Sequence, residues 1–186
     1  HWAMRTDYNT ELERDMDKHT QIRKILEDIE LREDVTIIYA CITGSRMFGY
    51  DNPESDYDLR FIYKKNKIED YLPISPKHEK LTYSWKSDTL GYDILGFDIK
   101  KALQLCQKSN PSIYEWFQSP LKYIDYPALS RKYIPDTRRL LHHYKSLLKN
   151  LFYDHMELKV DKVERKEYLY MMRLVLAIEQ IVYDGK

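Results

Sequence analysis

The chain of 186 residues is poor in cysteine and glycine, with two and five of them respectively. Two cysteines without a C-x-x-C spacing exclude a disulfide scaffold and a cysteine-rich zinc site. Neither charge is in excess, because 30 basic residues balance 30 acidic ones, and this excludes a histone-like polycation. No apolar run approaches the ~20 residues of a membrane-spanning helix, so no membrane partner is expected. We therefore expect a soluble, cytoplasmic protein with reduced thiols.

Hydrophobic periodicity predicts an α/β region that is followed by a helical region. In the first region it predicts a helix over 9–33 and strands over 35–42, 81–85 and 92–98. Helices are expected over 99–108 and from Pro111 to about Gln118. Pro120 and Pro127 mark a connector, and the rest of the chain carries helical apolar stripes. Residues 68–80 contain two prolines and are expected to form a loop or lid.

Residues 56–63 alternate in polarity with the single exception of Ile62, which predicts a strand with one face on a core. Its polar face carries Asp56, Asp58 and Arg60. Carboxylates at i and i+2 lie about 6–7 Å apart on one side of a strand, and paired metal ions in phosphoryl-transfer sites lie roughly 3.5–4 Å apart. The two acids could therefore bridge such ions. Taken alone, the pair is more typical of a solvated strand face, because chance gives roughly five such pairs in this composition.

The surroundings of the acidic pair favour a site for a metal and a nucleotide. The buried strand over 35–42 leads into Gly44 and Ser45, and a short helical turn and a loop then lead to Asp56. A glycine-serine turn at a helix start offers backbone N–H groups and a hydroxyl to a phosphate. Mg²⁺ prefers few carboxylates together with waters and substrate phosphates, and this turn and strand supply that combination.

Two blocks of the sequence resemble the DNA polymerase β-like nucleotidyltransferase superfamily. The first is its G-S…D-x-D signature, Gly44-Ser45-Arg46-Met47-Phe48-Gly49 and then Ser55-Asp56-Tyr57-Asp58-Leu59-Arg60. The second block resembles the RNA-repair-associated predicted nucleotidyltransferases of bacteria and phages; it comprises residues 93–103, 108–112, Glu115-Trp116 and Ser119-Pro120. The resemblance covers roughly residues 37–123 and is weaker in the helical region.

The resemblance implies a role for each matching position. Asp56 and Asp58 would bind Mg²⁺ or Mn²⁺, and Gly44 and Ser45 would hold the triphosphate of an NTP substrate. A third carboxylate on a neighbouring strand usually completes such a site and deprotonates the attacking hydroxyl. We expect Asp98 in that role, as a metal ligand and catalytic residue.

Several of these assignments have alternatives. Asp93 is the other candidate for the third carboxylate, and Asp98 could instead cap the helix that follows it. Arg60 could contact a phosphate or form a structural ion pair with Asp56 or Asp58. Arg46 and Lys101 could each bind phosphate or lie solvated at the surface.

The resemblance implies an α+β fold with a polymerase β-like mixed sheet, helices packed on one face, and a C-terminal helical region. We expect a catalytic domain over 5–108 and a helical region over 109–186. Family members generally continue further, so the helical region is expected to be incomplete.

The implied activity is a metal-dependent transfer of an NMP from an NTP to a hydroxyl, with release of pyrophosphate. The expected acceptor is an RNA end. The alternatives are a protein AMP-transferase that acts on a partner protein and a non-catalytic module that binds nucleotide or RNA.

A basic cluster in the helical region has two interpretations. It consists of Arg138, Arg139, His142, His143 and Lys145. Such a cluster is typical of a patch that binds the RNA backbone, and it is also typical of a solvated helix face, which is the more common case.

Overall fold

The structure is a computed structural model that describes residues 3–72, 82–87, 91–157 and 165–184. Its helices are α1 (Ala3–Glu33), α2 (Gly44–Phe48), α3 (Ile99–Gln107), α4 (Pro111–Gln118), α5 (Pro127–Ser130), α6 (Thr137–Glu157) and α7 (Arg165–Asp184). Its strands are β1 (Val35–Thr43), β2 (Tyr57–Lys65), β3 (Thr82–Ser87), β4 (Tyr92–Asp98) and β5 (Lys122–Ile124). Within the described ranges, no helix is long and apolar enough to cross a bilayer.

The five strands form one mixed sheet in the order β3-β4-β2-β1-β5. β2 lies at its centre, antiparallel to β1 and parallel to β4. β3 and β5 pair antiparallel with β4 and β1 at the two edges. The predicted α+β class with a mixed sheet is therefore confirmed.

Most predicted elements are present, and the structure adds one strand. β5 was not predicted, because the chain around it was interpreted as a connector between Pro120 and Pro127. Of the predicted loop or lid, residues 68–71 form a short 3-10 helix, and residues 73–80 lie outside the described residues.

One face of the sheet packs against α1. Ile22, Leu26 and Ile29 of α1 are buried there, together with alternate residues of the central strands. Leu59, Phe61 and Tyr63 of β2 belong to this core, which confirms the alternation predicted from the sequence. Full burial of one such side chain contributes roughly 1.5–3 kcal/mol.

Gly96 makes room for the largest of these side chains. It is the register partner of Phe61 across the parallel pair β2/β4. A Cβ at this position would lie 2.2 Å from the Phe61 ring, so only glycine lets the ring fill the space above β4.

The chain divides into two compact units. The first comprises His1–Ile99 and Pro120–Tyr126, and the second comprises Lys100–Ser119 and Pro127–Lys186. β5 belongs to the first unit because it pairs with β1. The domain boundary predicted at residues 108 and 109 stays a prediction, and α3 is grouped with the second unit.

The second unit has its own core, built on α6 and α7. Leu140, Tyr144 and Leu174 are its buried members. The Tyr144 hydroxyl donates a hydrogen bond to Glu115 Oε1 at 2.9 Å, and Arg173 Nη1 donates to the same oxygen at 2.6 Å. This charge-assisted cluster ties α4 to α6 and α7.

Candidate active site

The turn after β1 places Gly44 directly against the carboxylate of Asp58. Thr43, the residue before Gly44, is the register partner of Asp58 in the antiparallel pair β1/β2. Gly44 has a φ of +67°, in the left-handed region that favours glycine. A Cβ at Gly44 would lie 1.9 Å from Asp58 Oδ2 and 2.7 Å from its Cγ. The glycine therefore leaves the space that the carboxylate occupies.

Strand pairing brings Asp93 beside Asp58. The two residues are register partners in the parallel pair β2/β4, so their side chains lie on the same face of the sheet. The next residues, Leu59 and Ile94, point into the core beneath α1. Asp58 and Asp93 consequently lie on the opposite face, where both are partly exposed.

Arg60 joins the two carboxylates. Its Nη2 donates to Asp58 Oδ1 at 2.8 Å and to Asp93 Oδ2 at 3.0 Å. Its Nη1 donates to the backbone oxygen of Asp93 at 2.8 Å. The ion pair considered for Arg60 therefore forms with Asp58 and also with Asp93, and a single cationic nitrogen reaches both acids.

The pKa of Asp58 is raised by its burial and by neighbouring acids. Burial raises the pKa of Asp58 above its usual value, and the charges of Asp93 and Asp56 raise it further. The Arg60 guanidinium lowers the pKa and so opposes these effects. Negative charges close to Asp58 disfavour its ionisation, and a cation bound beside it would favour the charged carboxylate.

Asp56 lies just before β2 and is exposed. The backbone N–H of Tyr57 donates to the Gly91 oxygen at 2.8 Å, which holds the start of β2 beside the start of β4. The charge of Asp56 acts on Asp58 in this position. Asp56, Asp58 and Asp93 thus gather at the same end of two neighbouring strands.

Arg46 binds the loop that leads to this end of the sheet. Its Nη1 donates to Asp51 Oδ2 at 3.0 Å, and its Nη2 donates to the Ser55 backbone oxygen at 2.8 Å. Its guanidinium carbon lies 3.8 Å from the centre of the Tyr57 ring. These contacts show that Arg46 is not a solvated surface residue and that it positions the loop. Its contact with a phosphate stays a prediction.

Asp98 is not placed with Asp56 and Asp58, and this corrects the choice made from the sequence. Its register partner is Tyr63, five residues along β2 from Asp58. It is fully buried on the core side of β4, and its Oδ2 accepts a hydrogen bond of 3.1 Å from the Tyr71 hydroxyl. The alternation of β4 explains the difference, because residues 93 and 98 lie on opposite faces. Asp93, the other candidate, occupies the position expected of the third carboxylate.

The two remaining predicted residues lie in separate units. Ser45 is half-buried in α2, where its backbone oxygen accepts from the N–H of Tyr50 at 3.2 Å. Lys101 is half-buried in α3, within the second unit. Their roles at the triphosphate stay predictions.

A comparison with known proteins decides the family. The model of the RNA repair pathway DNA polymerase beta family, RlaP, matches residues 18–186. The chain belongs to this family. Among curated proteins, the uncharacterized protein YcgL of Bacillus subtilis (strain 168) is 32% identical over 168 residues, which are 86% of this chain and 62% of the relative. The chain therefore spans less than two thirds of that relative's length.

The donor set of this RlaP-family chain suits a hard divalent cation. Asp58 and Asp93 offer carboxylate oxygens, which Mg²⁺ and Mn²⁺ prefer. In the described part of the chain, no group of three Asp, Glu, His or Cys side chains is placed to share one metal ion. Waters and substrate phosphate oxygens would complete the coordination shell, as is usual for Mg²⁺. The residues present therefore fit the implied ion.

Sequence reasoning missed two features of the site. The pairing of β2 with β4 could not be read from the chain, because the register decides whether residue 93 or 98 faces Asp58. The contact of Gly44 with Asp58 also depends on register. The scarcity of glycine was a signal for the Gly44 contact, because each of only five glycines is expected where the backbone needs one.

Proposed function

We propose that the protein is a metal-dependent nucleotidyltransferase that moves an NMP from an NTP to a hydroxyl, with release of pyrophosphate. One observation carries this proposal: a single cationic nitrogen of Arg60 reaches both Asp58 and Asp93. Oxygens that converge on one cationic group are the donor arrangement that a divalent ion needs. Family membership supports the same reaction class.

The site residues divide the work as follows. Asp58 and Asp93, with Asp56 beside them, would hold Mg²⁺ or Mn²⁺. The ion would stabilise charge on the attacking and leaving oxygens. Gly44 and Ser45 would bind the triphosphate through the turn after β1.

Asp93 and Arg60 would each have a further role in the reaction. Asp93 would accept the proton of the attacking hydroxyl, since it is the more exposed acid of the pair that Arg60 binds. Arg60, displaced from the two carboxylates, would remain close enough to contact a phosphate.

An RNA end is the proposed acceptor, and the support is the RNA repair description of the family. The test supplies Mg²⁺ or Mn²⁺, α-labelled NTPs and an RNA mixture, and follows label in RNA and in protein. Label in RNA supports the proposal. Label in a protein band would move the acceptor to protein, as in the AMP-transferase alternative.

The matched variants in this assay are Asp58→Asn and Glu27→Gln, an exposed acid on α1. We expect Asp58→Asn to lower transfer at least about a hundredfold, because it removes a proposed metal ligand. Glu27→Gln should retain wild-type transfer. Equal activity of Asp58→Asn and wild type would refute the site assignment.

A second candidate function is a non-catalytic module that binds nucleotide. The ion pairs of Arg60 favour it, because Arg60 neutralises Asp58 and Asp93 without a metal. Nucleotide binding without transfer to RNA or protein under either metal would establish this alternative.

A further inference from the structure

The outward face of α6 carries a row of cationic side chains. Arg138, His142, Lys145 and Lys149 follow one another at steps of four, three and four residues, so they lie on one side of the helix. All four are exposed. The opposite side packs into the core of the second unit through Leu140 and Tyr144. The row therefore faces away from the core along about 16 Å of helix.

The charge of the greater part of this helix is one-sided. Residues 137–153 include four Lys or Arg residues and two histidines and no Asp or Glu, whereas Asp136 precedes this stretch and Asp154 and Glu157 follow it. The whole chain is neutral. Solvated helix faces normally mix both signs of charge. Cations in the first turns also oppose the helix dipole. Asp136 accepts a hydrogen bond from the backbone N–H of Arg139 at 3.0 Å, so its charge balances this end of the row and leaves Lys145 and Lys149 without a neighbouring acid in the sequence.

A cavity of 390 Å³ lies at the start of the row and is lined by basic side chains. Its lining residues are Lys108, Arg138, Arg139, His142 and His143. Two of them serve the fold, because Arg139 Nη1 and His143 Nε2 bind the backbone oxygens of Gln107 and Lys108 at 3.1 Å. Lys108 and His142 remain to meet an anion, together with Arg138, which also interacts with the charge of Asp136.

The far end of the row opens on a groove of 580 Å³, whose apolar lining combines three aromatic side chains with Leu148, Met171, Met172 and Val175. Phe152, Tyr153 and Tyr168 line it and are each more than half exposed. Lys145 and Lys149 line the same groove, and Lys149 Nζ lies 5.6 Å from the centre of the Tyr153 ring. Cations and exposed rings thus share one surface.

We propose that this face of α6 binds single-stranded RNA, with phosphates along the row from Arg138 to Lys149 and bases stacked on Phe152, Tyr153 and Tyr168. Proteins bind single strands through a cationic track for the backbone and aromatic side chains for the bases. The surface supplies both, with the cations on α6 and the aromatic side chains on α6 and α7. We propose RNA and not DNA because the description of the family names an RNA repair pathway.

This site does not depend on the proposed chemistry. It lies within the second compact unit, whereas Asp58 and Asp93 belong to the first. The Asp58→Asn chain, which we expect to be inactive, should bind RNA as tightly as wild type. Loss of catalysis and loss of this site are thereby distinguished.

The test measures fluorescence anisotropy of a labelled 12-nucleotide RNA with the full chain, without NTP or divalent metal. The double variant Arg138→Glu/Lys145→Glu should bind at least tenfold more weakly. Its slope of log affinity against log salt should fall by about 1.4, since each lost phosphate contact of a single strand contributes ~0.7. The matched control is Lys24→Glu/Lys132→Glu, which reverses two exposed lysines elsewhere and should behave like wild type.

Aromatic variants separate stacking from charge. Phe152→Ala should weaken binding at least about fivefold, and Phe152→Tyr should restore it. Circular dichroism and thermal melting should show all variants folded, because the substituted side chains are exposed.

Three results would overturn the proposal: no binding by wild type at low salt, equal weakening by the control pair, or equal affinity for duplex RNA with no effect of Phe152→Ala. A fourth would replace it with a protein interface. That result is wild-type self-association in sedimentation that Phe152→Ala abolishes.

Discussion

Replacing Gly44 with alanine tests the contact that links the turn after β1 to Asp58. A Cβ at this position would lie 1.9 Å from Asp58 Oδ2, and the distance would have to grow to at least 3.4 Å, where ordinary van der Waals contact begins. A shift of about 1 Å in a reacting group can cost ~100-fold in rate. Alanine would also adopt the left-handed conformation, which costs about 1–2 kcal/mol. We expect Gly44→Ala to lower transfer about a hundredfold and to destabilise the fold.

Gly49→Ala is the matched control, because Gly49 has a φ of +71° and its Cβ would meet nothing within 4 Å. Alanine there should lower the free energy of unfolding by about 1 kcal/mol, since the backbone cost is partly offset by the lower entropy of the unfolded chain. Urea unfolding of both variants isolates the clash, which should add about 1–3 kcal/mol at Gly44. Equal destabilisation and equal activity of the two variants would refute the contact.

The second prediction distinguishes the two candidate acids: Asp93→Asn should lower transfer at least about a hundredfold, whereas Asp98→Asn should stay within a few-fold because asparagine can still accept from Tyr71. The opposite order in a single-turnover assay would restore Asp98. The third concerns packing: Gly96→Ala should cost about 1–3 kcal/mol in urea unfolding, because its Cβ would lie 2.2 Å from a buried ring, and an unchanged midpoint would contradict this. The fourth concerns Cys106, whose burial raises the pKa to about 11. Since the thiolate is the nucleophile, its labelling by a thiol reagent should be slow at pH 8 and accelerate towards pH 11; rapid labelling of the folded chain at pH 8 would be the contrary result.

Local patterns were enough to predict the elements around the site. The alternation over 56–63 indicated which face of β2 carries Asp58 and Arg60, and Leu59 and Phe61 lie in the core as that pattern requires. Alternation is a property of one strand, so neighbouring residues of the same chain determine it.

Pairing between strands was the part that could not be predicted. Asp93 and Asp98 both lie in β4, and the choice between them depends on which residue of β2 each one faces. A register is fixed by the packing of the whole sheet, and an odd number of residues along a strand moves a side chain to the other face. β5 was missed for a related reason, since a strand of three residues is defined by its partner β1.

Mn²⁺ binding followed by electron paramagnetic resonance, with and without a non-hydrolysable NTP, tests the proposed metal site directly. We expect wild type to bind Mn²⁺ more tightly when the nucleotide is present. Asp58→Asn and Asp93→Asn should each abolish this gain, and Asp98→Asn should keep it. Undiminished Mn²⁺ binding by the Asp58 and Asp93 variants would contradict the claim that these two carboxylates form the metal site.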